Sequence, residues 1–464
     1  MIDTTIEKLT SALGKNLVLT GESVRERYHH IWLMDQSLVA KAVVLPRNTE
    51  DVAKVLSICH DHHQPIVIHG GLTNLVGGTE TKADEVVISL EKMDSIEEVD
   101  SESRTITVQA GAILENVQRA AEKEGLLFPL NFGAKGSAQM GGIISTNAGG
   151  LRVLRYGMTR QLVVGLEAVL ADGTVISSMK KILKDNSAYD LKQLFIGSEG
   201  TLGVITRAVL RLVEAPSTRI SALAGIDNYD QVVAFLKFMD KGLAGTLSSF
   251  ELMWPPTYKV LTTAPASVSP PLPYIYNYYV LLDSLGSDAK FDAVRFQRLL
   301  EEALELKIIQ DAVPAESATE VNRFWTIRED VAPMVSKCKH IQQFDISLPI
   351  PLIGEVINQI VKNLHQIQEV EKVFTFGHVA DGNIHLVIGK SHESIALINK
   401  INDRVYQPLT AIGGSISAEH GIGVHKKNYL HISRSPEEIQ LMKTLKHTLD
   451  PHNILNPGKV LDLM

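Results

Sequence analysis

The chain has 464 residues, 45% of them apolar and 21% charged, with a formal net charge of −8. Such a length suits two or three domains of about 100–200 residues, and such a composition supports a sizeable core rather than disorder. No basic block points to nucleic acid or an anionic membrane surface, and no apolar run reaches the roughly 18 residues of a membrane span. Cys59 and Cys338 stand outside any CxxC pair, which argues against a disulfide framework or a thiolate metal site.

The opening MIDTTIEKLTSALG reads as a capped amphipathic helix without the basic and apolar regions of a signal peptide. With the cysteine usage, this sets the expectation of a soluble cytoplasmic protein. Residues 1–38 form an N-terminal helical segment. From 39 to 215, glycine is dense between short β-branched strands: AVVLP, IVIHG, VVISL, ITVQA and LEAVLADGTVI. TEDVAKVLSICHDHHQP reads as a helix with Thr49 as its N-cap, acidic residues Glu50 and Asp51 in its first turn, and Pro65 beyond its end. Residues 216–375 alternate amphipathic helices (DAVRFQRLLEEALEL, PLIGEVINQIVKNLHQI) with strands such as YIYNYYVLLD, a second α+β domain. Residues 376–464 carry short strands, two helices and the tail HNILNPGKVLDLM.

Three glycine clusters punctuate the first domain. In IVIHGGLTNLVGG a strand ends at His69 and glycines follow at once. Glycine admits φ > 0 and close approach of a ligand, and successive unpaired N–H groups attract anions. Gly70 to Gly78 is therefore a candidate diphosphate loop, although a glycine-rich hairpin is an alternative. It matches neither GxGxxG opening a helix nor GxxxxGK[ST]. The second cluster runs from Asn131 to Gly150 and the third from Leu194 to Thr206. Accepting the backbone entropy of so many glycines three times points to a large polyanionic cofactor threaded between loops.

The last quarter holds a second constellation, GHVADGNIH and SAEHGIG. Asp-Gly-Asn is a turn between two apolar runs, so His378 and His385 can meet from two strand ends. Glu419 and His420 add a carboxylate and an imidazole beside glycines. Two histidines and one carboxylate with an open position suit a divalent metal acting as a Lewis acid. A pair of satisfied core histidines is the structural alternative, and a metal-dependent hydrolase is a rival reading that leaves the glycines unexplained. His60, His62 and His63 read as the cationic end of a surface helix.

The order of the glycine segments resembles the FAD-binding fold of the vanillyl-alcohol-oxidase type. GAKGSAQMGGIISTNAGGLRVLRYG and KDNSAYDLKQLFIGSEGTLGVIT resemble the D-2-hydroxyglutarate and D-lactate dehydrogenase branch. The resemblance implies an α+β architecture: a two-subdomain FAD-binding domain, an α+β substrate domain, and a helical C-terminal segment packing back on the first. It implies that Gly70, Gly71, Leu72, Thr73, Asn74, Leu75, Gly77 and Gly78 hold the pyrophosphate. Ser137, Gly141, Gly142, Ser145, Asn147 and Gly150 would line the flavin and its phosphates, Gly200 and Ile205 the adenosine side, and Asn456 is counted with them. Some relatives anchor FAD covalently through a histidine after the first glycines; Leu72 and Thr73 stand there, so FAD is expected to be non-covalent.

By the same resemblance, His378, His385 and Glu419 match the metal ligands, usually zinc, and His420 the catalytic base. Arg328 in FWTIRE matches the clamp for the substrate carboxylate. The pattern departs at Val379-Ala380, where glycine often precedes the aspartate. It departs further at Ala332, Gln343 and Val387, where D-2-hydroxyglutarate dehydrogenases place a hydroxyl, a lysine and an asparagine. Each change removes a partner for a distal carboxylate, which favours D-lactate or another short, apolar D-2-hydroxy acid. Lys337, Lys339 or His340 could compensate, which keeps D-2-hydroxyglutarate in play. A flavin-bearing non-catalytic subunit is argued against by the intact ligand and base positions. The expected partners are a small 2-hydroxy acid and an electron acceptor (electron-transfer flavoprotein or quinone), in a homodimer.

Overall fold

A computed structural model describes residues 4–463; Met464 and the first three residues of the N-terminal helical segment lie outside the described residues. The chain forms two units. The first gathers Met1–Gly150, Gly157–Ala215 and Glu419–Met464, and the second Leu151–Tyr156 and Pro216–Ala418. Residues 376–418 thus belong with the second unit, because the strands Val370–His378 and Asn383–Lys390 are members of its sheet.

In the first unit, Ala42–Val44, Val86–Ser89 and Ile66–His69 run parallel, and Val18–Leu19 adds an antiparallel edge. The helix Thr49–Asp61 covers this sheet. Val52, Val55, Leu56 and Cys59 recur at helical spacing and are buried with Ala42, Val44, Ile66, Val86 and Ile88. Its cap is Asn48, one residue before the expected Thr49. The Asn48 side chain accepts from the Asp51 amide at 2.8 Å, while the Thr49 hydroxyl donates to Glu167 at 2.6 Å. Burial pushes the Cys59 thiol up to about 12, as suits a packing residue. A second, five-stranded antiparallel sheet is ordered Ile96–Asp100, Thr105–Gln109, Val204–Arg211, Val163–Val169, Val175–Ser178.

The C-terminal tail is built into the first unit. Leu455 bridges Ile66 at the edge of the parallel sheet. Lys446, on the helix Pro436–Leu449, is buried; it pairs with Asp450 and donates to the carbonyls of Thr201 at 3.0 Å and Leu455 at 2.7 Å. Asp450 in turn accepts the amides of Ile454 and Leu455.

The second unit is a seven-stranded, wholly antiparallel sheet. Its order is Asp311–Pro314, Thr218–Ile226, Tyr278–Gly286, Leu247–Met253, Val370–His378, Asn383–Lys390, His340–Ser347. Every residue of Leu247–Met253 and Tyr278–Gly286 is buried, so neither strand alternates as a one-faced strand would. The amphipathic stretches become the helices Ala289–Glu305 and Ile353–Leu364. No helix among the described residues is long and apolar enough to cross a membrane.

Replacing Lys446 with Met leaves the Asp450 carboxylate buried without its cation, which costs about 3–5 kcal/mol. The thermal midpoint of the first unit should fall by roughly 10 °C, read by circular dichroism; a change under 2 °C would show the tail to be held by other contacts.

Candidate active site

The strand Ile66–His69 ends in a buried histidine. His69 Nε2 bonds the Thr79 carbonyl at 2.9 Å, and burial pushes its pKa down to about 3, so it is a neutral structural group. Beyond it, the amides of six successive residues, Gly70 to Leu75, donate no hydrogen bond among the described residues. Leu72 has φ 56°, which reverses the backbone's hand inside the run and lets neighbouring N–H groups converge. Asn74 braces the far end, its Oδ1 accepting from Val76 at 3.0 Å and Gly78 at 2.7 Å.

The second cluster lies against this loop. A Cβ on Gly71 would sit 2.0 Å from the Ser137 carbonyl, and one on Gly141 would sit 2.8 Å from Ala110 Cβ. Those two glycines serve protein packing. Gly142 differs: a Cβ there meets nothing within 4 Å. Beside Gly70, Gln139 Oε1 is buried without a partner among the described residues, an unmet acceptor of the kind a ligand donor satisfies. Open amides, open space at a glycine and an orphaned acceptor together fit a phosphate-bearing cofactor.

The other expected cofactor residues divide. Ser145 presents its carbonyl to the Glu199 amide, and the Asn147 side chain accepts from the Arg160 amide at 2.9 Å. Gly150 abuts the Asn131 carbonyl, and Gly200, at φ 70°, rests on Asn456. Asn456 spends both ends of its amide on protein, accepting from Ile68 and donating to the Glu199 carbonyl. Ile205 is core in the strand Val204–Arg211. Sequence reasoning passed over Glu199, whose buried carboxylate accepts the amides of Ile422 at 2.7 Å and Gly423 at 2.9 Å. Burial pushes its pKa up against those two bonds. Only its place in Gly-Ser-Glu-Gly could have drawn attention to it.

In the second unit, strand register assembles the polar group. Glu251 pairs with His378, Phe376 with His385, and His385 with Asp345; Val387 lies between Phe374 and Gln343. Partners in an antiparallel ladder share a face, and so do residues two apart. All of these side chains therefore belong to one face. The turn is tight because Gly382 takes φ 86°, where a Cβ would meet the Leu348 carbonyl at 2.6 Å. His378 Nδ1 bonds Glu251 Oε1 at 2.6 Å, and its Nε2 stands 3.4 Å from His385 Nε2. Arg328, from the helix Ala318–Glu329, is buried; its Nε donates to Glu251 Oε2 at 2.8 Å and its guanidinium lies 4.6 Å from the Phe376 ring centroid. Among the described residues, Nη1 and Nη2 of Arg328 donate no hydrogen bond.

Glu251 is fully buried. Burial alone would push its pKa up, but His378 and Arg328 outweigh it and hold the carboxyl below its usual range. Nothing in its strand sequence, LSSFELM, distinguishes this glutamate from a solvated one. Asn383, a turn residue by sequence, lies opposite His378 and is buried, and neither atom of its side-chain amide has a partner among the described residues.

Ser415 bridges Ser347, and the Ala418 amide donates to Asp345 Oδ2 at 3.1 Å, which anchors the chain immediately before Glu419. Glu419, His378 and His385 each offer a ligand atom, and these atoms lie within 4.8 Å of one another. His420 follows directly. Of the substrate positions, Val387 is buried with Phe374, Phe376 and Met334, whereas Gln343 and Ala332 are exposed.

Residues 40–178 match the family described as "FAD binding domain", and residues 215–460 the one described as "FAD linked oxidases, C-terminal domain". Both define an FAD-linked oxidoreductase. Among curated proteins, the chain is 38% identical to "Probable D-2-hydroxyglutarate dehydrogenase, mitochondrial" of Oryza sativa subsp. indica, over 97% of this chain and 80% of that protein. It is 37% identical to the Bos taurus "D-2-hydroxyglutarate dehydrogenase, mitochondrial", over 96% and 81%. It is 36% identical to a putative mitochondrial D-lactate dehydrogenase of Schizosaccharomyces pombe, over 92% and 83%. Among solved structures, p-cresol methylhydroxylase superposes with TM-score 0.76 at 15% identity, over 99% of this chain and 96% of that one. Alkyldihydroxyacetonephosphate synthase gives 0.75 at 15%, over 98% and 84%; these two likenesses establish the vanillyl-alcohol-oxidase-type fold.

The chain belongs to the FAD-dependent D-2-hydroxyacid dehydrogenase family. The cytoplasmic expectation does not stand: these curated relatives are named mitochondrial. Two cysteines without a disulfide pattern do not decide a compartment.

Two glycine substitutions separate packing from cofactor space. Gly71→Ala should cost about 1–3 kcal/mol through overpacking and lower both the thermal midpoint and the bound flavin. Gly142→Ala should leave the midpoint of the FAD-free protein unchanged yet lower flavin content, read as the ratio of flavin to protein absorbance. Full flavin occupancy in Gly142→Ala would refute the assignment of that space.

Proposed function

We propose that this protein oxidises a short or apolar D-2-hydroxy acid, such as D-lactate or D-2-hydroxybutyrate, to the 2-oxo acid. FAD is held non-covalently, and a divalent metal, zinc before manganese or iron, is held by His378, His385 and Glu419. The observation that carries the substrate choice is the burial of Val387 in an apolar cluster with Phe374 and Phe376, on the face that bears His378 and His385. A distal carboxylate set against the Val387 and Phe374 side chains would meet apolar atoms, at a cost of roughly 1–3 kcal/mol if it gained no other partner. The uncharged Gln343 opposite Val387 supports the same choice. The names of the relatives in rice and cattle favour D-2-hydroxyglutarate as the second reading.

Arg328 grips the substrate carboxylate through Nη1 and Nη2, since Nε is committed to Glu251. His420 takes the hydroxyl proton, with an imidazole suited to that task near neutral pH. His378, His385 and Glu419 fix a cation whose charge favours the developing alkoxide. Bound flavin supplies the hydride acceptor for C2. The Gly70 to Leu75 amides hold the cofactor's phosphates, and the lack of a histidine at Leu72 or Thr73 supports non-covalent attachment. No nicotinamide fingerprint is present, so the onward acceptor proposed is an electron-transfer flavoprotein or a quinone.

Anaerobic mixing with D-lactate should bleach the flavin absorbance, the L-enantiomer should not, and a chelator should slow the bleaching. kcat/KM for D-lactate should exceed that for D-2-hydroxyglutarate; a strong preference for the diacid overturns the apolar-pocket reading. Arg328→Lys, which loses the fork, should lower kcat/KM by about 10- to 100-fold, mainly through KM. His420→Gln should lower kcat by about 10²- to 10⁴-fold.

A further inference from the structure

Glu251 is a fully buried carboxylate with two hydrogen-bonded side chains among the described residues, one on each oxygen: His378 on Oε1 at 2.6 Å and Arg328 on Oε2 at 2.8 Å. We infer that Glu251 is the positioning residue that couples the metal ligand His378 to the carboxylate clamp Arg328. The inference rests on the roles given to those two residues above.

An ionised carboxylate only accepts hydrogen bonds, so His378 must present Nδ1–H to it. A ring that ligates a cation must be neutral, and with Nδ1–H given to Glu251 its lone pair is then on Nε2, the atom that faces His385 Nε2 across 3.4 Å. A carboxylate behind a ligating imidazole fixes its tautomer and ring orientation and raises its basicity. The second oxygen holds Arg328 by Nε, at the root of the fork, and leaves the two terminal nitrogens for a ligand. The Phe376 ring below the guanidinium restricts it further. Backbone pairing fixes Glu251 itself: it lies opposite His378 on one side and Leu281 on the other, in a strand buried along its whole length. One rigid carboxylate thus sets both the direction of the metal ligand and the direction of the clamp.

Glutamine at this position keeps the shape but offers one acceptor and one donor to two donors. If its oxygen stays with Arg328, its NH2 group faces His378 Nδ1, turns the ring to the Nε2–H tautomer, and the ligand lone pair is lost. If its oxygen turns to His378, Arg328 meets a donor and the clamp is displaced. Either way one function fails, which a role in packing alone would not require.

The test is Glu251→Gln in the FAD-loaded protein, with Zn²⁺ and Mn²⁺ affinity measured by competition with a chromophoric chelator. Steady-state KM and kcat for D-lactate or D-2-hydroxyglutarate are measured in parallel, and flavin absorbance and circular dichroism report the fold. We expect metal affinity to fall by about 10- to 100-fold, or KM to rise by a similar factor, with flavin content unchanged. Glu251→Asp keeps two acceptors but shortens the reach, and should give a smaller loss, at least threefold in one of the two quantities. If Glu251→Gln does not yield folded protein, Glu251→Asp carries the test under that criterion. Metal affinity and KM both within twofold of wild type overturn the inference while leaving the metal reading intact. Wild-type protein that takes up neither cation overturns the metal reading itself, and the coupling role with it.

Discussion

The register of the antiparallel ladder in the second unit is the constraint on which the polar group depends. Glu251 opposite His378, and Phe376 opposite His385, place a carboxylate and two imidazoles on one face at bonding distance. A slip of one residue between the strands Leu247–Met253 and Val370–His378 would send Glu251 to the other face, because side chains alternate with a period of two. The register is held by burial: the strand carrying Glu251 is covered along its whole length, and Met253, Phe374, Phe376 and Val387 share one apolar cluster. Hydrophobic packing, which has no direction of its own, is thereby converted into the fixed geometry of three titratable groups.

The same face explains how a buried charge is tolerated. Taking the Glu251 carboxylate and the Arg328 guanidinium out of water is costly unless each finds partners. Glu251 finds two, and its ionised form is held in place by both. Among the described residues Arg328 finds one, together with the face of Phe376, and its terminal nitrogens donate no hydrogen bond. A group left partly unmet at a buried position is where a ligand gains most from binding, and Asn383 beside His378 has the same character. In the first unit the counterpart is the run of open amides from Gly70 to Leu75 with Gln139 beside it. Both places present polar groups that the protein itself does not satisfy among the described residues.

Much of this was legible in the chain and part was not, for identifiable reasons. The helix at Thr49–Asp61 followed from periodicity, but its cap did not: Asn48 and Thr49 are both good caps, and Thr49 was drawn inward by Glu167, 118 residues away in sequence. Asp-Gly-Asn announced the turn between the two histidine strands, since Gly382 supplies the positive φ that the turn needs. The glycine clusters announced a cofactor but not which glycines face it. Gly71 and Gly141 are required by neighbouring protein atoms, whereas Gly142 faces open space, and no feature of the motif separates them. The compartment was misjudged because composition reports a redox preference, not an address.

The sequence by itself determined the classes of element, the cofactor family and the residue types of the candidate site, because these rest on local propensity and on motifs contiguous in the chain. His378, His385, Glu419 and His420 fall within 43 residues of one another and could be read together. Glu251 is 127 residues from His378 and 77 from Arg328, in a strand with no motif. Only the tertiary structure could place it between them, because strand pairing and burial, not proximity in sequence, bring a carboxylate to those two donors.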